Sequence, residues 1–145
     1  MREWDRATSG CRWEALPDEP LSRYAELHRI DDLAMNLLAC VETRSMPLRR
    51  RLWPRSRASR TVIALTTEYL VWVSEAGGEQ VVSAARLSDI EVREYRSTLI
   101  EDSGIEVVGF RVGSTERESW FLPLDQGADA QDFRDKLQRA VRAER

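Results

Sequence analysis

The chain has 145 residues, the usual size of one compact domain, so a second full domain does not fit. Hydrophobic residues make up 42% of the sequence and charged residues 32%, a composition that supplies one folded core and excludes wholesale disorder. The net charge of -3 comes from 22 basic and 25 acidic residues. This balance excludes a protein that binds nucleic acid by being basic throughout, and we expect no nucleic-acid partner.

The sequence lacks the hydrophobic stretches that membrane targeting requires. No stretch approaches the ~18–20 apolar residues of a membrane-spanning helix, and the first twenty residues lack the apolar run of a signal peptide. We therefore expect a cytoplasmic protein without a transmembrane segment. If it meets a membrane, it does so as a peripheral protein at the inner face.

Residues that serve metal sites or catalysis are few. Two cysteines, Cys11 and Cys40, and one histidine, His28, suit neither a disulfide framework nor a common transition-metal site. The carboxylate pair Glu101-Asp102 stands in no recognisable catalytic motif, and GxSxG and phosphate-binding glycine patterns are absent. We expect no cofactor, no metal and no enzyme activity. A small enzyme working through carboxylates is the alternative from another class.

The N-terminal part of the chain differs in character from the rest. Residues 1–20 are polar and are expected to form an irregular arm. From Leu21 to Leu38 apolar residues recur every three or four positions, which predicts an amphipathic helix. We assign residues 1–36 to this arm and helix and residues 37–145 to the main domain. The helix either folds back on that domain or docks a second subunit, which would make a homo-oligomer.

Positive charge is concentrated in one stretch. Between Thr43 and Thr67 there are seven arginines and no acid, so this stretch carries +7 and the rest of the chain carries -10. Residues 37–44 alternate in the manner of a first strand. From Met46 to Ser59 the two prolines, which donate no ladder hydrogen bond, predict a long exposed loop. We call residues 44–60 the arginine segment.

The remaining chain is typical of short strands followed by one helix. β-branched and aromatic runs at regular intervals, with glycine turns at Gly77-Gly78 and Gly113, predict antiparallel strands rather than alternating helices and strands. Phe133, Leu137 and Val141 fall on one helical face, with Asp129 as the predicted N-cap. With the first strand, seven strands are predicted, the last six over residues 61–66, 69–75, 79–85, 89–95, 105–112 and 118–124.

Two motifs give this order a family likeness. The run from Thr61 to Trp72 resembles the second-to-third strand hairpin of bacterial pleckstrin-homology-like and GRAM-type domains, and Ala85–Ile90 followed by Val92 resembles the segment that enters their fifth strand. The resemblance covers about residues 37–143. It implies a mainly β fold (α+β by content), a seven-stranded antiparallel barrel or sandwich capped by a C-terminal helix.

The resemblance also bears on binding. In phosphoinositide-binding members, the loop between the first two strands carries the headgroup-binding cations, with a K/R-x-R pattern that Arg55-Ser56-Arg57 matches. Tyr69 replaces a frequent family arginine, and Phe133 replaces the helix tryptophan of eukaryotic members. Both departures argue against carrying over inositol-phosphate specificity.

The expected function is that of a non-catalytic binding module. Guanidinium groups bind carboxylate and phosphate oxygens in pairs, and arginine and tryptophan are enriched at binding hot spots. A protein partner contacted through the arginine segment, and through the N-terminal arm as a second contact, is the leading prediction, and anionic phospholipid bound by the same segment is the alternative. The predicted contact residues are Arg44, Arg49, Arg50, Arg51, Trp53, Arg55, Arg57 and Arg60.

Overall fold

In the part of the chain that the structure describes, the strands come first and the helix last. The computed structural model describes residues 4–11, 37–48, 58–96 and 101–144. Within these residues the chain forms eight strands, a single 3₁₀ turn (Leu87–Asp89) and one helix. The strands are β1 (Trp4–Gly10), β2 (Leu37–Pro47), β3 (Ser59–Thr66), β4 (Tyr69–Ala76), β5 (Glu79–Arg86), β6 (Ile90–Glu94), β7 (Gly104–Gly109) and β8 (Glu118–Pro123), and the helix is α1 (Ala128–Ala143).

All strand pairs are antiparallel and lie in two sheets. The first sheet has the order β1-β2-β3-β4-β5 and the second the order β6-β7-β8. Among the described residues, no ladder joins β5 to β6 or β1 to β8, so the sheets form an open two-sheet arrangement and not a closed barrel. Mainly β content and the C-terminal helix are confirmed.

One core lies between the two sheets and the helix. Ile63 and Trp72 contribute from the first sheet, Val107 from the second, and Phe133 and Leu137 from α1. The apolar face predicted for α1 is therefore confirmed as the buried one. The Trp72 and Trp120 rings, whose centroids are 5.4 Å apart, link the two sheets within this core.

The central strands of the first sheet are buried on both faces. β3 and β4 carry continuous apolar runs, so each contributes alternate residues to the main core and to a second apolar cluster on the opposite face. Val62, Ala64, Val71 and Val73 form the centre of that cluster, next to Cys40 of β2. This two-sided burial explains why these strands were predictable from hydrophobicity alone.

The N-terminal prediction is wrong for the residues that the structure describes there. Residues 4–10, expected to be an irregular arm, form β1. Every residue of β1 pairs with a residue of β2. The described chain therefore has eight strands and not seven. The predicted helix over Leu21–Leu38 lies outside the described residues up to position 36, and Leu37 and Leu38 lie in β2.

Several element boundaries also differ from the prediction, by one to three residues. Met46 and Pro47, assigned to the loop, end β2 because Pro47 occupies an end position opposite Trp4, where a missing N–H costs little. β7 ends at Gly109, since the following chain turns to the first sheet and the Val112 N–H donates to the Ala84 carbonyl at 2.8 Å.

The predicted N-cap of α1, Asp129, does not cap the helix. Gly127 is the N-cap and makes no side-chain cap bond, while the Asp129 carboxylate accepts the Gly10 N–H at 3.1 Å. Its role is to tie the start of α1 to β1.

None of the helices in the described part of the chain is long and apolar enough to cross a membrane.

Candidate functional site

The predicted contact residues divide between described and undescribed parts of the chain. Arg44 and Arg60 lie directly opposite each other in the β2–β3 ladder, at the base of the connection between these strands. Ser45 and Ser59 form the next pair outward. The other predicted contact residues, Arg49, Arg50, Arg51, Trp53, Arg55 and Arg57, lie outside the described residues.

One carboxylate organises the base of this hairpin. Glu42 Oε1 lies 2.8 Å from Arg44 Nε and 2.8 Å from Arg60 Nε, and Arg60 also lies 3.9 Å from Glu75. The hydrogen bond from Arg60, followed by that from Arg44, holds the pKa of Glu42 below its ordinary value. Two arginines therefore share one carboxylate. With Glu75, the charges at the hairpin base balance, and the excess of positive charge belongs to the rest of the arginine segment.

Arg44 is the more accessible of the two arginines. Its side chain is 75% exposed, whereas Arg60 is mostly covered. An exposed ion pair is weak because water and salt screen it, so an incoming carboxylate or phosphate can compete with Glu42 for Arg44. Arg60, held by Glu42 and flanked by Glu75, instead positions Glu42.

Apolar side chains lie exposed beside this charge. Met46 is 55% and Leu48 50% exposed, although large apolar residues are normally buried. Met46 follows Arg44 by two positions on β2, so both project from the same face of the sheet. The rim of the hairpin thus combines a cation with apolar surface. Met46 and Leu48 were not among the predicted contact residues, although their place next to the arginines in an exposed loop was a usable signal.

A second candidate is the polar cavity between β1 and the second sheet. Its volume is about 340 Å³, and its lining includes two acids adjacent in sequence. Arg6 makes two hydrogen bonds to Asp102, from Nε at 3.0 Å and from an amino group at 2.8 Å, and a third to the Ser45 hydroxyl. The lining residues are Trp4, Arg6, Glu101, Asp102, Ser103, Asp125 and Gln126.

Two of the acids in this cavity, Asp102 and Asp125, act as structural acceptors. Asp125 accepts the Thr8 N–H at 2.8 Å and the Gly127 N–H at 2.8 Å, while its own N–H donates to the Thr8 hydroxyl. Asp102 is bound by Arg6 and is mostly covered. These bonds tie β1 to the chain that precedes β7 and follows β8, and they account for Asp102 and Asp125.

The structure also brings the two cysteines together, which their spacing in the sequence does not indicate. The Cys11 N–H donates to the Cys40 carbonyl at 3.1 Å, continuing the β1–β2 ladder beyond its last pair, Gly10 and Val41. Both thiols are free. Within the described ranges, no three histidine, cysteine or acidic side chains group in a way that could hold a metal ion.

Comparisons of the chain with protein-family models, with curated proteins and with solved structures found no match. The function proposed for the chain therefore rests on its own geometry.

Proposed function

We propose that the chain is a non-catalytic binding module of the pleckstrin-homology-like type that contacts a protein partner through the arginine segment. The observation that carries the proposal is the exposed Arg44 beside the exposed Met46 and Leu48, at the base of a stretch carrying +7. Four consecutive strands, β2 to β5, in one sheet, then three in a second sheet and a final helix, support the type. β1 adds a strand at the β2 edge.

The mixture of charge and apolar surface favours a protein over other anions. Arginine, methionine and aromatic residues are enriched at protein interfaces, and arginine is frequent among residues that dominate binding energy. A partner that fits would present carboxylates to Arg44 and the neighbouring arginines and an apolar patch to Met46 and Leu48. Loss of either the charged contact or the apolar contact should weaken the complex.

The same features give a second candidate, an anionic phospholipid surface. A basic residue near an anionic leaflet contributes about 1 kcal/mol, and apolar side chains next to it can enter the headgroup region. Trp53, within the arginine segment, is of the residue type enriched at that interface.

Site-specific photo-crosslinking tests the protein partner. A photoreactive amino acid at position 48 should yield a discrete protein adduct in cells of the source organism, and the same residue at position 81 serves as a control. Val81 is comparably exposed but lies on β5, away from the hairpin base. Arg44→Glu in the position-48 protein should abolish the adduct. An adduct that persists in that variant, or that forms equally from position 81, would contradict the proposal.

Vesicle sedimentation tests the lipid alternative. If lipid is the target, the purified protein sediments with vesicles containing phosphatidylglycerol or cardiolipin and not with neutral vesicles, and replacing Arg49, Arg50 and Arg51 by glutamate abolishes this. Arg93→Glu is the matched control, since Arg93 is an exposed, ion-paired arginine on the other sheet. Lipid binding without a protein adduct would replace the leading proposal.

A further inference from the structure

Cys11 and Cys40 are placed as a disulfide would require. Directly opposed residues of a hydrogen-bonded antiparallel pair have Cα atoms about 5.5 Å apart, and disulfides span Cα separations of about 4.4–6.8 Å. The 3.1 Å bond from the Cys11 N–H to the Cys40 carbonyl puts the two cysteines in that relation. The Cα separation typical of that relation therefore falls within the range that a disulfide spans.

Both thiols belong to the second apolar cluster, Cys40 as a buried member and Cys11 packed against it, and their environments are unequal. A side-chain hydrogen bond from Cys40 lowers the pKa of Cys11, and the Arg60 charge lowers it further, against the opposing effects of burial and Glu42. The same hydrogen bond, together with burial, raises the pKa of Cys40. Of the two thiols, Cys11 is therefore the one that gives up its proton more readily.

Solvent exposure also makes Cys11 the more reactive of the two cysteines. Cys11 is half-buried, at the end of the β1 edge strand, whereas Cys40 is buried beside Val62 and Ala64 in the second apolar cluster. A small oxidant arriving from solvent meets Cys11 first. Cys40 lies behind it and opposite it across the β1–β2 pair, so it is placed to attack whatever forms on the Cys11 sulfur.

We propose that Cys11 and Cys40 form a redox-active pair that a hydroperoxide converts into an intramolecular disulfide, with Cys11 as the reacting cysteine and Cys40 as the resolving one. This redox proposal does not rest on the proposed partner binding, because neither cysteine lies in the arginine segment.

The chemistry balances in two steps. The Cys11 thiolate attacks one oxygen of hydrogen peroxide, a sulfur–oxygen bond forms as the oxygen–oxygen bond breaks, and the departing hydroxide takes a proton from solvent. The Cys40 sulfur then attacks the Cys11 sulfenic acid, the sulfur–sulfur bond forms, and the hydroxyl leaves with the Cys40 proton as water. The two sulfurs lose two electrons in total and the peroxide is reduced to two waters. A small dithiol reduces the disulfide back to two thiols by thiol–disulfide exchange.

Peroxide titration of the purified, fully reduced chain tests the proposal. Intact-mass analysis should show loss of two hydrogen atoms, both thiols should resist alkylation, and the product should remain a monomer on a non-reducing gel. Dithiothreitol should restore the starting mass. Retention of both free thiols at a peroxide dose that oxidises free glutathione, or oxidation only to intermolecular dimers, would overturn it.

Variants test the order of reaction. In Cys40→Ser and Cys40→Ala, peroxide should leave a sulfenic acid on Cys11 that dimedone traps; alanine is included because a buried cysteine behaves as a small apolar residue. In Cys11→Ser, Cys40 should react at least tenfold more slowly than Cys11 does in the Cys40 variants. Equal or faster oxidation of Cys40 would overturn the assigned roles, while the wild-type mass shift decides the disulfide by itself.

Discussion

Arg6 and Asp102 form a bidentate ion pair that joins β1 to the chain preceding β7. The side chains are only 9% and 12% exposed, and the pair bridges positions far apart in the sequence. The Arg6 guanidinium also lies over the rings of Trp4, at 5.0 Å, and Phe121, at 5.4 Å. Together with the bonds between Thr8 and Asp125, this contact ties β1 to the chain that flanks the second sheet.

Removing one member of this pair is expected to destabilise the fold strongly. Asp102→Ala leaves the Arg6 charge covered and unpaired, a situation that costs about 3–5 kcal/mol. The free energy of unfolding, measured by urea denaturation, should fall by about 3 kcal/mol. The double variant Arg6→Met/Asp102→Ala should recover part of this loss, because no charge is then left behind.

A surface pair provides the control for this experiment. Arg93 and Glu106 form an ion pair of similar length, 2.8 Å, on the exposed face of β6 and β7. Glu106→Gln should leave the urea midpoint unchanged, since exposed pairs contribute little. Equal midpoints for Asp102→Ala and Glu106→Gln would show that the buried pair stabilises the fold no more than the exposed pair does.

Gly109 is required by the close approach of two chain segments. A Cβ at this position would lie 2.0 Å from the Asp89 carbonyl oxygen and 2.9 Å from the Ile90 Cα. Both atoms belong to the backbone, which cannot move without breaking the β6–β7 pairing. Gly109→Ala should therefore lower the free energy of unfolding by about 2–3 kcal/mol, measured by urea denaturation.

Gly10→Ala is the matched substitution. A Cβ at Gly10 meets no atom within 4 Å, so this variant should unfold at nearly the wild-type urea concentration. A loss at Gly10 as large as that at Gly109 would mean that steric contact is not the cause.

The strands from β3 onward were predictable because their physics is local. Ile90 and Val92 face the core while Glu91 and Arg93 face solvent, as the alternation indicates. The turn at Gly77-Gly78 likewise adopts the positive φ values that glycine allows. Such features need no knowledge of distant residues.

β1 was missed because the partners of its inward residues are distant. Arg6 and Thr8 point between the sheets, where Thr8 bonds the buried Thr43 at 2.8 Å and Arg6 bonds Asp102. Polar inward residues abolish the apolar alternation by which a strand is recognised. The strand is stabilised by tertiary hydrogen bonds that a linear pattern does not contain.

The candidate site was predictable only in part, for the same reason. Charge counting finds Arg44 and Arg60, but their shared acceptor Glu42 becomes apparent only once the β2–β3 register is known. The thiol pair likewise depends on the pairing of β1 with β2. Cross-strand relations between distant segments are what sequence spacing fails to show.

The titration of Glu42 gives a pH-dependent prediction. Its pKa lies below the ordinary value of 4.5 because Arg60, and then Arg44, hydrogen-bond its charged form. A carboxylate with a lowered folded-state pKa stabilises the fold above the unfolded-state pKa, and this contribution disappears as the pH falls through the folded-state pKa. Glu42→Gln should therefore be less stable than wild type at pH 7, with the difference shrinking below about pH 4.5.

Urea denaturation of both proteins from pH 7 to pH 3 measures this difference. Other paired carboxylates, Glu106 among them, titrate equally in both proteins and so cancel. A difference that stays constant down to pH 3 would show that the arginines do not act through the Glu42 charge.

Phe133 anchors α1 in the core, and its truncation should be the most damaging single change on the helix. Its side chain is fully buried next to Leu137, between the two sheets. Phe133→Ala removes most of that side chain and leaves a cavity, which costs about 3–5 kcal/mol when neighbours do not collapse into it. The thermal midpoint should fall accordingly, and calorimetry measures both the midpoint and the enthalpy.

A neighbouring position separates packing from helix propensity. Gln131→Ala lies away from the core face on the exposed side of α1, so it should change the thermal midpoint little despite the better helix propensity of alanine. Phe133→Leu, which keeps most of the apolar volume, should lose clearly less than Phe133→Ala. If leucine and alanine at position 133 are equally destabilising, the filled volume between the sheets is not what holds α1 in place, and the Arg134 bonds to the Asp125 carbonyl and to Glu94 become the principal attachment.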